Sequence, residues 1–123
     1  MSTKQQTDFP LDIEEMRAST ALLLGPDGAP DVLPPAVDEL ATLTMALRRH
    51  LELLAPEVER AADRLDKESI PRYCAIACVG EARGKLRATP RPGPGGDAAY
   101  ARRLARVLNA LCDHWETLVR ATP

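Results

Sequence analysis

An all-α fold, an antiparallel bundle of four or five helices joined by Pro/Gly-rich loops, is what this sequence predicts. Apolar residues recur at spacings of three and four along most of the chain, the period of a helix with one buried face. Hydrophobic residues make up 45% of the sequence but aromatics only 3%, so alanine, leucine and valine must build the interior. Alanine and leucine lead the helix propensity scale, whereas strands draw on β-branched and aromatic residues. The prolines fall mostly between the periodic segments, where they end helices. A chain of 123 residues suits one domain with one core, here residues 10–123, preceded by a flexible polar arm over residues 1–9.

The first helix is predicted from Ile13 to Leu24. Asp12 is its N-cap, Glu15 stands three residues later at capping-box spacing, and Gly25-Pro26 stops it. Residues Gly25 to Pro35 hold four prolines and two glycines and read as a loop. A second helix follows from Ala36 to Ala55, with Leu40, Leu43, Leu47, Leu51 and Leu54 along one face. Pro56 either opens a third helix at its first position or kinks a single long one. Val58, Ala62 and Leu65 carry the apolar stripe on toward Asp66. Ser69 caps the next helix, which has Pro71 in its first turn and runs to Leu86. Thr89 to Gly96 is a Pro/Gly-rich loop, and the last helix spans Asp97 to Ala121. Its stripe is Tyr100, Leu104, Val107, Leu108, Leu111, Trp115, Leu118 and Val119.

The N-terminus is polar and lacks the apolar segment of a secretory signal, and no apolar run approaches the length of a membrane helix. Three cysteines, two of them four residues apart on one helix, do not resemble a secreted disulfide framework. A cytosolic protein is expected. Its net charge of −2 conceals a division: residues 1–66 carry −7 and residues 67–123 carry +5. Acidic and basic helices facing each other would produce that pattern, and so would a surface for an acidic partner.

No motif names a reaction. Cys74 and Cys78 lie one turn apart and, with Cys112 and a histidine, could build a tetrahedral zinc site, but the usual two-residue spacings are missing. Buried cysteine behaves as a small hydrophobe, and core packing is the reading taken. Cys112 and His114, two apart on a helix, point to different sides and cannot form a catalytic pair. His50, after Arg48-Arg49, reads as a surface residue. Gly80 and Gly84 form a small-residue face, read as close packing within the molecule. Glu81 lies among apolar neighbours with Arg83, Lys85 or an arginine of the last helix as partner. No catalytic, cofactor-binding or metal-binding residues are assigned. The candidate contact surface is basic: Arg83, Lys85, Arg102, Arg103 and Arg106, with Arg87 and Arg91 between the two groups. Phosphate contacts are open to such a patch, yet stacking aromatics are absent from it apart from Tyr100.

Two stretches carry a resemblance. One is Pro71-Arg72, Cys74-Ala75, Ala77 through Arg83, and Leu86; the other is Tyr100 through Arg106, Leu108 through Leu111, and Asp113-His114. With the leucine-rich second helix they resemble, over residues 36–116, a family of small uncharacterised actinobacterial proteins labelled as associated with natural product biosynthesis. The resemblance implies an accessory or regulatory role and supplies no catalytic residues. The expectation is a small cytosolic helical protein acting by protein–protein interaction, with itself or another chain, without a cofactor and without a membrane. A small-molecule-binding or catalytic bundle, with a pocket beside Cys74, Cys78, Gly80, Gly84 and Glu81, is one alternative. A nucleic-acid-binding regulator is the other.

Overall fold

The computed structural model describes residues 11–25 and 35–121. The predicted arm over residues 1–9 and most of the predicted loop before the second helix lie outside them. Four helices account for nearly all of the rest: α1 (Ile13–Leu24), α2 (Val37–Asp63), α3 (Ile70–Arg87) and α4 (Gly96–Ala121). No strand occurs among the described residues.

Local chemistry explains where the helices begin and end. The Asp12 carboxylate accepts from the Glu15 backbone N–H at 3.0 Å, and Gly25 leaves α1 at a φ of 78°, a conformation that costs glycine little. Ser69 accepts from the Arg72 N–H at 3.2 Å with Pro71 in the first turn of α3. Pro56 lies inside α2, which runs on to Asp63 without a break. A proline there removes one backbone bond. Leu51, Leu54 and Ala55 before it and Val58, Ala61 and Ala62 after it are all buried, so the core holds both halves within one helix.

The packing centres on α4, which contacts each of the other three helices, and α2 packs against α3 as well. Met16 and Leu23 from α1, Leu47, Leu51, Leu54 and Val58 from α2, and Leu104, Leu108 and Leu111 from α4 are essentially inaccessible. The buried side chains of α3 are small, Ala75, Cys78, Val79 and Ala82, and Ile76 and Leu86 pack against the core half buried. Those alanines, at helical spacing, bring its backbone close to its neighbours. Tyr100, Val107 and Leu118 are buried as the last stripe predicts, and Trp115 packs against the core from its edge. Val119 departs from that stripe, being half exposed.

The glycine face of α3 is a correction. Gly80 is exposed, and a Cβ built on it meets nothing within 4 Å; at Gly84 the nearest atom is an Arg87 side-chain nitrogen at 4.0 Å. The core-facing positions 75, 78, 79 and 82 lie on another side of the helix, so these glycines pack against nothing. Gly80→Ala and Gly84→Ala are therefore expected to stabilise the protein, each by up to about 1 kcal/mol. Urea denaturation checks this, and a loss of stability at Gly80 would show that its face is packed after all.

Candidate functional site

Residues distant in sequence meet on the α3–α4 face. Lys85 from the last turn of α3 and Arg103 and Arg106 from α4 line a notch of about 340 Å³, together with Glu81, Val107 and Ala110. Helical spacing explains the set: positions 81 and 85 share one face of α3, and 103, 106, 107 and 110 share one face of α4. Lys85 and Arg103 are half buried, Arg106 and Glu81 are exposed, and Val107 is buried. The notch is net positive.

Not every predicted basic residue takes part. Arg83 reaches α2 instead, donating to both Glu59 carboxylate oxygens at 3.2 and 3.0 Å. Those hydrogen bonds hold the Glu59 carboxyl below its ordinary value and raise the Arg83 guanidinium. Arg102 is half buried and does not line the notch. Four surface arginines are matched with acids: Arg17 with Asp113 and Glu116, Arg60 with Glu57, Arg72 with Asp63, Arg83 with Glu59. Three of these arginines bridge the two halves of the chain: Arg72 and Arg83 reach acids of the first half, and Arg17 reaches acids of the second. Lys85, Arg103 and Arg106 form no ion pair among the described residues.

What positions the notch was not legible in the sequence. Arg48 of α2 donates from Nη1 to the Tyr100 hydroxyl at 2.5 Å and from Nη2 to the Leu86 carbonyl at 2.9 Å. The Tyr100 hydroxyl donates to the Lys85 carbonyl at 3.0 Å. Carbonyls in the last turn of a helix lack partners within it, and here α2 and α4 supply them. The clamp ties the end of α3, and with it Lys85, to the first turns of α4. On the other side of α4, Thr20 of α1, 1% exposed, places its hydroxyl 2.7 Å from the Asn109 side chain. Arg17 braces the same pair of helices through Asp113 and Glu116 at 2.8 and 2.9 Å.

The thiols are divided. Cys74 is exposed, whereas Cys78 and Cys112 are buried. Burial, reinforced by the Glu81 and Asp113 charges, pushes the Cys78 thiol from its ordinary 9.0 to about 11. Burial does the same for Cys112, against the opposing charge of Arg17. Both stay protonated where a nucleophile would need to ionise. At mildly alkaline pH a thiol reagent is expected to label Cys74 rapidly in the native protein and the other two only on unfolding. Fast labelling of Cys78 would reveal an opening beside it. The folded state keeps both protons between about pH 9 and 11, so stability is full below that window and falls through it.

Among the described residues, no three or more His, Cys, Asp and Glu side chains gather to hold a metal ion. His50, expected at the surface, is half buried, and its Nδ1 has no hydrogen-bond partner there. A second groove, about 590 Å³, lies where α2 begins beside the loop before α4. Val37, Met45, Pro90, Pro94 and Tyr100 are among its walls, with Asp97 at its edge. Met45 is 72% exposed and Val37 80%. Neither groove is lined by the Cys74, Cys78, Gly80 and Gly84 side chains expected around a pocket. No helix among the described residues is long and apolar enough to cross a membrane.

Neither a curated protein nor a solved structure matches the chain. Residues 14–120, from the first turn of α1 to the last turn of α4, match DUF6415, a family of unknown function, and the chain belongs to that family.

Proposed function

We propose that this protein acts by protein–protein interaction, as an accessory or regulatory factor whose contact surface is the basic notch between α3 and α4. The observation that carries the reading is the convergence of three cations from two helices on one notch. Lys85, Arg103 and Arg106 form no ion pair among the described residues, and Glu81 is the one carboxylate that lines the notch with them. Unmatched charge on a rigid face favours a complementary partner through steering and specificity. The reading takes the helices as an antiparallel bundle, supported by Arg72 beside Asp63 at one end of the α2–α3 pair and Arg48 on the Leu86 carbonyl toward the other. The resemblance of residues 36–116 supports an actinobacterial setting in natural product biosynthesis, and the composition supports a cytoplasmic location.

Affinity capture from the native host at moderate salt tests this. The native chain is expected to recover a stoichiometric protein, and the Lys85→Glu/Arg103→Glu/Arg106→Glu variant to lose most of it. Equal recovery by both would remove the notch from the reading. An empty capture with the native chain would overturn the accessory role.

A second reading, a small-molecule-binding bundle, is favoured by the apolar groove at Val37 and Met45, whose size lies within the range of ligand clefts, roughly 300–1,000 Å³. Perturbation of the Met45 methyl signal by small apolar compounds would support it.

A further inference from the structure

We infer that the notch recognises an acidic peptide segment: one carboxylate enters between Lys85, Arg103 and Arg106, and a neighbouring aliphatic side chain rests on Val107 and Ala110. The inference rests on the reading above and names the chemistry of the partner at that same site.

The lining selects the ligand. Arg103 and Arg106 stand almost one turn apart on α4, and each presents a planar fork of donors suited to a carboxylate. Lys85 approaches from α3 as a point charge. Lys85 and Arg103 are half buried, so their stems are already constrained and less side-chain freedom is lost on binding. Glu81 on the rim narrows the choice further. Its negative charge opposes a dianionic phosphate or the continuous polyanion of a nucleic acid more than it opposes a single carboxylate. It can also accept a backbone N–H of an extended segment, a donor that inorganic anions lack. The Val107 and Ala110 floor adds a demand for an apolar group, which a small anion would leave wet. On α4 itself, the acids Asp113 and Glu116 hold Arg17, which leaves Glu81 as the one carboxylate lining the notch. The notch, about 340 Å³, is near the lower end of ligand clefts and suits side chains of a peptide.

The test titrates the full chain with a short blocked, fluorescently labelled peptide of glutamate and leucine, read by anisotropy and by backbone amide shifts. Inorganic phosphate, a single-stranded oligonucleotide and a lysine–leucine peptide serve as comparisons. The expected result is binding by the acidic peptide with shifts confined to the Glu81–Lys85 and Arg103–Ala110 faces. It should weaken with salt and by about tenfold or more in the triple charge-reversal variant, whose circular dichroism and melting should match the native chain. Should that variant unfold, Arg106→Ala, at an exposed position, replaces it with an expected weakening of a few-fold. Glu81→Gln is expected to improve phosphate binding relative to the peptide. Absent binding, shifts elsewhere, or phosphate or oligonucleotide binding as tightly as the peptide would each overturn the inference. If the peptide fails while a captured host protein still depends on the notch, the inference falls and the accessory reading stands. If the peptide binds while no host protein depends on the notch, the reverse holds.

Discussion

Arg48→Ala is expected to lower stability by about 2 kcal/mol, a fall in Tm of roughly 10 °C for a domain of this size. The substitution removes both donors of the clamp at once. The Leu86 carbonyl loses its side-chain donor, and the Tyr100 hydroxyl, on a ring 4% exposed, loses its bond to the guanidinium. Hydrogen bonds to charged groups contribute about 1.5–3 kcal/mol each, and the half-exposed setting of Arg48, where water can replace a lost donor, brings the effect below the sum for two such bonds. Arg48→Lys should recover only part, because an ammonium cannot reproduce the fork that reaches two acceptors. Tyr100→Phe should cost less, about 1 kcal/mol, since the ring stays in the core and the Lys85 carbonyl keeps the Ala88 N–H at 3.2 Å. In a double-mutant cycle Arg48 and Tyr100 should be coupled, as members of one network are. Calorimetry with urea denaturation decides the matter. A change at Arg48→Ala below about 0.5 kcal/mol, the range of ordinary surface substitutions, would show that the clamp is not formed in solution.

Gly96→Ala is expected to destabilise by about 1–3 kcal/mol, the range for forcing atoms into filled space. A Cβ on Gly96 would lie 1.9 Å from the Arg91 carbonyl oxygen, and backbone cannot swing aside as a side-chain tip can. The loop must open, and Gly93 and Gly95, with φ of 101° and 79°, already hold it in a conformation other residues rarely adopt. Pro90, Gly93, Pro94 and Gly95 wall the apolar groove, so the same variant is expected to shift the Met45 methyl signal. Gly80→Ala provides the comparison. The chemistry of the change is identical and the expected sign is opposite, because one Cβ meets a carbonyl and the other meets open space. Equal effects at the two positions would contradict the structure.

Much of the fold could be read from short stretches of chain. The caps at Asp12 and Ser69 are local hydrogen bonds between residues three apart, so the residue types at those spacings announce them. The stripe Leu40, Leu43, Leu47, Leu51 and Leu54 buries as its period requires. Pro56 was ambiguous, because opening a new helix and lying within one differ only by whether the core holds both sides together. The candidate site was legible in part. The helical period places Lys85 on one face of α3 and Arg103 and Arg106 on one face of α4, but not those faces against each other. Arg83 belongs to the same sequence cluster as Lys85, and its turn toward Glu59 depends on α2 lying beside it.

The sequence by itself determined that the chain is helical, where the capped helices α1 and α3 begin, and which leucines turn inward. Helix formation depends on partners four residues away and on a repeating apolar face, both written locally. Only the tertiary structure decided that Arg48 closes the end of α3, that Gly80 is open while Gly96 is crowded, and that three cations converge beside a single carboxylate. Each of those depends on residues roughly five to fifty positions apart. Their meeting follows from the register and crossing of packed helices, which no local spacing encodes.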